Sequence, residues 1–129
     1  AYPNNRRTEQ TDKVLSRYFR RFRAGISPRP DPPTGYWIAN QPQAFLPLAK
    51  ISSTAVLGGC GIGSYYLSTQ ENLDAALEKA AETNTLIVFF SHGISSNPNR
   101  IDMSIEILEK MLKKASSLGM QIVGFDNLP

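Results

Sequence analysis

The sequence predicts an α/β fold in which parallel strands alternate with helices. Three observations carry that prediction. The apolar run Leu86-Ile87-Val88-Phe89-Phe90 is bounded by turn residues and reads as a fully buried strand. Segments opening near Ser68 and near Asp102 carry apolar residues at the helical period. Residues 121–125 are again rich in apolar side chains, separated from the Leu86 run by a loop and a whole helix, as in a βαβ unit.

In chain order, the first helix is predicted at about residues 9–20, with Thr8 as its N-cap. Val14, Leu15, Tyr18, Phe19 and Phe22 recur at the helical period, and arginines cover the other faces. A strand follows at 22–26. Pro28, Pro30, Pro32 and Pro33 then exclude helix and central strand, because each removes an amide donor. This stiff loop leads to Tyr36-Trp37-Ile38, whose aromatic rings suit either a stacking surface for sugars or a plug in the core.

Residues 54–57 form the next predicted strand. The run Gly58-Gly59-Cys60-Gly61-Ile62-Gly63-Ser64 matches neither G-x-G-x-x-G nor the Walker pattern, and is predicted to be a flexible turn at the strand end. Ser68-Thr69-Gln70-Glu71 is a capping-box pattern, and Leu73, Ala76, Leu77 and Ala80 continue it as a helix. A strand at 85–90 and a helix from about Asp102 follow. That helix places Ile105, Leu108, Leu112 and Ala115 on one face and stops at Gly119.

With 129 residues, 41% hydrophobic and 19% charged, the chain is one domain or part of one, with a real core. Its longest apolar run is five residues, far short of a membrane span. No basic-then-apolar leader opens the chain. Cys60 is the sole cysteine, which excludes an internal disulfide and a cysteine-cluster metal site. With one histidine as well, a metal site within the chain would have to be carboxylate-rich. No tight carboxylate constellation appears, so the chain itself is expected to hold no metal.

Charge is unevenly placed. Residues 1–50 carry nine Lys/Arg against three Asp/Glu, while residues 51–129 carry five against eight. A basic half suits a polyanion partner, or a solvated helix face with salt bridges. The segment lacks the aromatic-and-glycine pattern of an RNA-binding sheet, a zinc finger or a basic zipper, so no nucleic-acid partner is expected.

His92, the only histidine, follows the Leu86 strand and Ser91 and precedes Gly93. Ligands of α/β folds bind at the carboxyl ends of strands, so an imidazole there is placed for chemistry as acid, base or metal ligand. A buried or capping histidine is the structural alternative. At the other end, Ala1-Tyr2-Pro3-Asn4-Asn5 reads like the end of a strand entering a loop. The chain is therefore expected to be the carboxyl-terminal part of something larger.

This order of elements resembles the polysaccharide deacetylase family. Ala1 to Asn5, the helix after Thr8 and Phe22-Arg23-Ala24-Gly25 resemble its aromatic-proline loop, helix and short strand with an arginine. Leu86 to His92 resembles its last motif, an apolar strand ending in histidine, and residues 105–125 its closing helix, glycine and strand. The resemblance implies a single domain over 1–129, the carboxyl-terminal part of a distorted β/α (TIM-like) barrel. It implies hydrolysis of the acetyl amide of an N-acetylated sugar.

On that resemblance His92 is the general acid for the leaving amine and requires an acidic partner to stay charged. Tyr2 and Pro3 shape the substrate loop and the Asn4 amide helps hold the oxyanion; apart from the resemblance, Trp37 is the candidate stacking ring. A divalent, zinc-like metal is expected in the parent. The family's aspartate and two histidines have no counterpart here, so its ligands must lie outside this chain. The expected partners are an acetylated carbohydrate, the missing amino-terminal half, and further copies joined at open sheet edges, with no membrane. A carbohydrate substrate slightly favours an extracytoplasmic or secreted setting. The rival expectations are a non-catalytic glycan-binding module using the basic half with Tyr36 and Trp37, and a structural α/β module in which His92 is merely buried.

Overall fold

The computed structural model describes residues 2, 6–26, 37–66 and 68–129. Its centre is a three-stranded sheet of β1 (Phe22–Ile26), β3 (Val56–Gly61) and β5 (Val88–Phe90), in the order β1-β3-β5. Both pairings are parallel, with Ile26 beside Cys60 and Cys60 beside Phe89. Helices α2 (Gln70–Glu82) and α3 (Ile105–Ser117) follow β3 and β5 in the chain. The predicted parallel α/β arrangement is present. The sheet is open, and no barrel is closed among the described residues.

Strand alternation divides the sheet into two unlike faces. Ala24, Ile26, Cys60 and Phe89 lie on the face covered by the helices. There Ile26, Cys60 and Phe89 join Leu73, Ala76 and Leu77 of α2 and Met111 and Ala115 of α3 in the main core. The opposite face carries Arg23, Leu57, Val88 and Phe90. Leu57 and Val88 form a smaller cluster with Ile51, Phe125 and Leu128. Both helices thus cover one side.

The remaining strands are two-residue pieces. β2 (Leu46–Pro47) pairs antiparallel with β4 (Thr85–Leu86), and β6 (Ile94–Ser95) pairs parallel with β7 (Met103–Ser104). Short 3-10 turns link β1 to β3, and the backbone N–H of Ile38 donates to Asn72 Oδ1 at 2.9 Å, tying the first of them to α2.

Several local expectations are corrected. Helix α1 (Glu9–Leu15) begins at the predicted cap, Thr8, whose hydroxyl accepts from the Thr11 amide. It ends well before Arg20 and buries nothing, for Val14, Tyr18 and Phe19 are all exposed. With no surface against its apolar residues, the helix lacks the packing that would extend it. Helix α2 is capped by Thr69, one residue after the start of the predicted box. Helix α3 starts later than Asp102 because Ser104 is its N-cap, accepting from the Ile107 amide. Gly119 ends it at φ +69°, as expected.

The Leu86 run is not one buried strand. It breaks at Ile87 into β4 and β5 and is only half-buried, because β5 stands at an edge of the sheet. Residues 121–125 form no strand alongside it, and Ile122 and Val123 are exposed. They pass beside β5, leaving a cleft of about 570 Å³ lined by Val88, Phe89, Met111, Ile122 and Phe125 among others. The glycine run is likewise no flexible turn. Gly58 to Gly61 are the body of the central strand β3.

Leu73 is fully buried where α2 meets the sheet. Leu73→Ala is expected to lower the unfolding free energy by about 2–5 kcal/mol, read by chemical denaturation.

Candidate functional site

Glycines of β3 shape the site. A Cβ at Gly61 would lie 2.6 Å from the Tyr66 ring, and one at Gly59 would lie 2.7 Å from Arg23 Cδ and 3.2 Å from Phe90 Cδ1. Their bare backbone lets those side chains lie across the open face near its carboxyl end. Larger residues would push them off. A glycine in a strand interior often marks such a close approach.

His92 follows β5, two residues past Phe90, and is exposed at the carboxyl end of the sheet. It is therefore not the buried histidine of the structural reading. Its Nε2 lies 3.5 Å from Tyr66 Oη, at the far edge of hydrogen-bond range. The Phe90 ring packs edge-on to both, with centroids 6.4 Å from His92 and 6.0 Å from Tyr66. Beneath them, the Arg23 guanidinium carbon sits 3.7 Å from the Phe90 ring centre. Burial pulls the Arg23 pKa below the usual arginine range, although such a group stays charged.

The turn after β5 is held firmly. Ser91 Oγ donates to the Gly93 carbonyl at 2.8 Å, and the Met103 amide donates to the same carbonyl. Gly93 lies against the Asp102 carboxylate: a Cβ there would stand 2.7 Å from Oδ1, so the carboxylate would have to shift. Among the described residues no ion pair or hydrogen bond joins His92 to a carboxylate. The expected acidic partner is therefore not found among the described residues, and the polar neighbour of His92 there is the neutral Tyr66 hydroxyl.

The other expected site residues are dispersed. Tyr2 lies beside β1, where its amide donates to the Arg23 carbonyl at 3.4 Å and its ring meets Phe22 edge-on. Its hydroxyl donates to Asp12, which also pairs with Arg7. Pro3, Asn4, Tyr36 and the proline-rich loop lie outside the described residues. Trp37 is half-buried at the start of the 3-10 turn Ile38–Asn40, and no contact brings it to His92.

Arg23, Tyr66 and Phe90 were not anticipated beside His92. One signal for Arg23 was available: a charged residue at an alternate position of an otherwise apolar strand. Nothing local marked Tyr66.

The described residues contain no group of three or more His, Cys, Asp or Glu side chains able to hold a metal ion. A zinc-like site therefore does not fit the described residues. Among the described residues no helix is long and apolar enough to cross a membrane. Compared with protein-family models, curated proteins and solved structures, the chain matches none.

Hydrogen bonds from Arg7 and from Tyr2 hold the Asp12 carboxyl below its ordinary range. Burial, and then donation to Asp12, raises the Tyr2 phenol. A carboxyl with a depressed folded-state pKa stabilises fully above its unfolded value. That stabilisation is lost as pH falls through the lower folded value. Acidification is expected to release Tyr2 from α1, followed by NMR of the Tyr2 ring. Asp12→Asn should abolish the pH step.

Proposed function

We propose that this chain is the carboxyl-terminal part of a β/α-barrel carbohydrate deacetylase, with His92 as the acid that protonates the leaving sugar amine. The observation that carries the reading is the position of His92, exposed at the carboxyl end of a parallel strand and beside a tyrosine hydroxyl. The placing of α2 and α3 on one face only also favours it, since a β/α barrel keeps its helices outside and its other face within.

The reaction would be hydrolysis of a non-peptide C–N bond. Water adds to the acetyl carbonyl, the C–N bond of the tetrahedral adduct breaks, and imidazolium gives its proton to the departing nitrogen. The products are acetate and the free amino sugar. Tyr66 Oη, 3.5 Å from Nε2, would have to move closer to orient the His92 ring. Tyr2, Pro3 and Asn4 would contribute the substrate loop, and Trp37 a stacking ring. Any metal of the complete protein would take its ligands from outside this chain.

The remaining strands of a barrel would pair at the outer flank of β5, an edge that a second copy of this chain can also use. The chain alone is expected to release no acetate from N-acetylated oligosaccharides.

In the complete barrel, His92→Ala should lower kcat by about 10²–10⁴-fold with little change in fold. Acetate release and circular dichroism read the two effects. Unchanged turnover would refute the assignment, as would acetate release by the chain alone refute its being a part.

A further inference from the structure

Arg23 differs from the other arginines whose contacts are defined. Arg7 pairs with Asp12, Arg21 donates to the carbonyls of Leu128 and Ile51, and Arg100 lies over the exposed Tyr65 ring. Arg23 is half-buried on the open face, lying over Gly59 with its guanidinium against Phe90. Among the described residues no hydrogen bond or ion pair engages that guanidinium. The group that bears on it electrostatically is the Tyr66 hydroxyl, and burial is the larger influence.

A partly desolvated cation without a counter-charge is less favourable than one that an anion meets. Stacking fixes the guanidinium plane and leaves its edge, a fork of N–H donors, for a planar acceptor. A carboxylate fits that fork with two parallel hydrogen bonds. One cation also matches its single negative charge better than the double charge of a phosphate.

We propose that Arg23 anchors a carboxylate-binding subsite on the open face of the sheet, next to the Tyr66–His92 pair. Its ligand is the carboxylate of a sugar acid or a free acetate ion. The carboxylate subsite does not rest on the deacetylase reading, since the stacked guanidinium is there whatever reaction His92 serves; the choice of a sugar acid as carrier of the carboxylate does rest on it.

The test is an NMR titration of the whole chain with acetate, with glucuronate and with neutral glucose, following the Arg23 Nε–H resonance. A saturable shift with a carboxylate and none with glucose is expected. Arg23→Met should weaken binding about tenfold or more, and Arg23→Lys less, as expected for loss of a charge-assisted bidentate contact. Tighter binding of glucuronate assigns a sugar acid; equal or tighter binding of acetate assigns the free ion. Absence of a shift with both carboxylates, an equal shift with glucose, or wild-type affinity in Arg23→Met would overturn the proposal. If Arg23→Met does not fold, the wild-type titration decides alone. Because no turnover is measured, failure here leaves the His92 assignment to its own assay.

Discussion

The structure depends on the bare backbone of β3. This strand lies between β1 and β5, and it is glycine at the positions where side chains of its neighbours cross the sheet. Glycine weakens a strand by its unfolded-state freedom and by offering nothing to pack. Here the loss is offset by what passes over it. Arg23 reaches from β1 across Gly59 to Phe90 of β5, and Tyr66 folds back over Gly61 toward His92. The site is thus built from three separate stretches of chain meeting over one strand.

A second constraint is the one-sidedness of the layers. Helices α2 and α3 bury the face that carries Ala24, Ile26, Cys60 and Phe89. Among the described residues, the face with Arg23 and Phe90 carries a smaller apolar cluster that includes Ile51, Leu57, Val88, Phe125 and Leu128. A helix packed directly over Arg23 and Phe90 would take the space that their side chains fill. The covered face holds the main core, and the other face holds the cluster of Arg23, Phe90, Tyr66 and His92.

Much of this was readable in the sequence where local and tertiary signals agree. Helix α2 has a capping hydroxyl at Thr69 and an apolar stripe that meets a surface, and it forms nearly where predicted. His92 stands where a strand-ending histidine should. The failures share a cause. Val14, Tyr18 and Phe19 have helical spacing but nothing to pack against. Residues 121–125 have strand-forming side chains, yet a strand exists only where an edge is paired. Conversely, glycines typical of turns lie mid-strand because distant side chains need the space. The partners of His92 were hidden for the same reason, since sequence spacing carries no record of which residues cross a neighbouring strand.

The central claim is that Arg23, Phe90, Tyr66 and His92 form one connected cluster over the glycines of β3. The most direct measurement is a set of nuclear Overhauser contacts in the folded chain, from the Arg23 side chain to the Phe90 ring and from the Tyr66 ring to His92. The account predicts both contacts, with Arg23 methylene signals moved upfield by the Phe90 ring. Random-coil shifts for Arg23 and no Tyr66–His92 contact would contradict it.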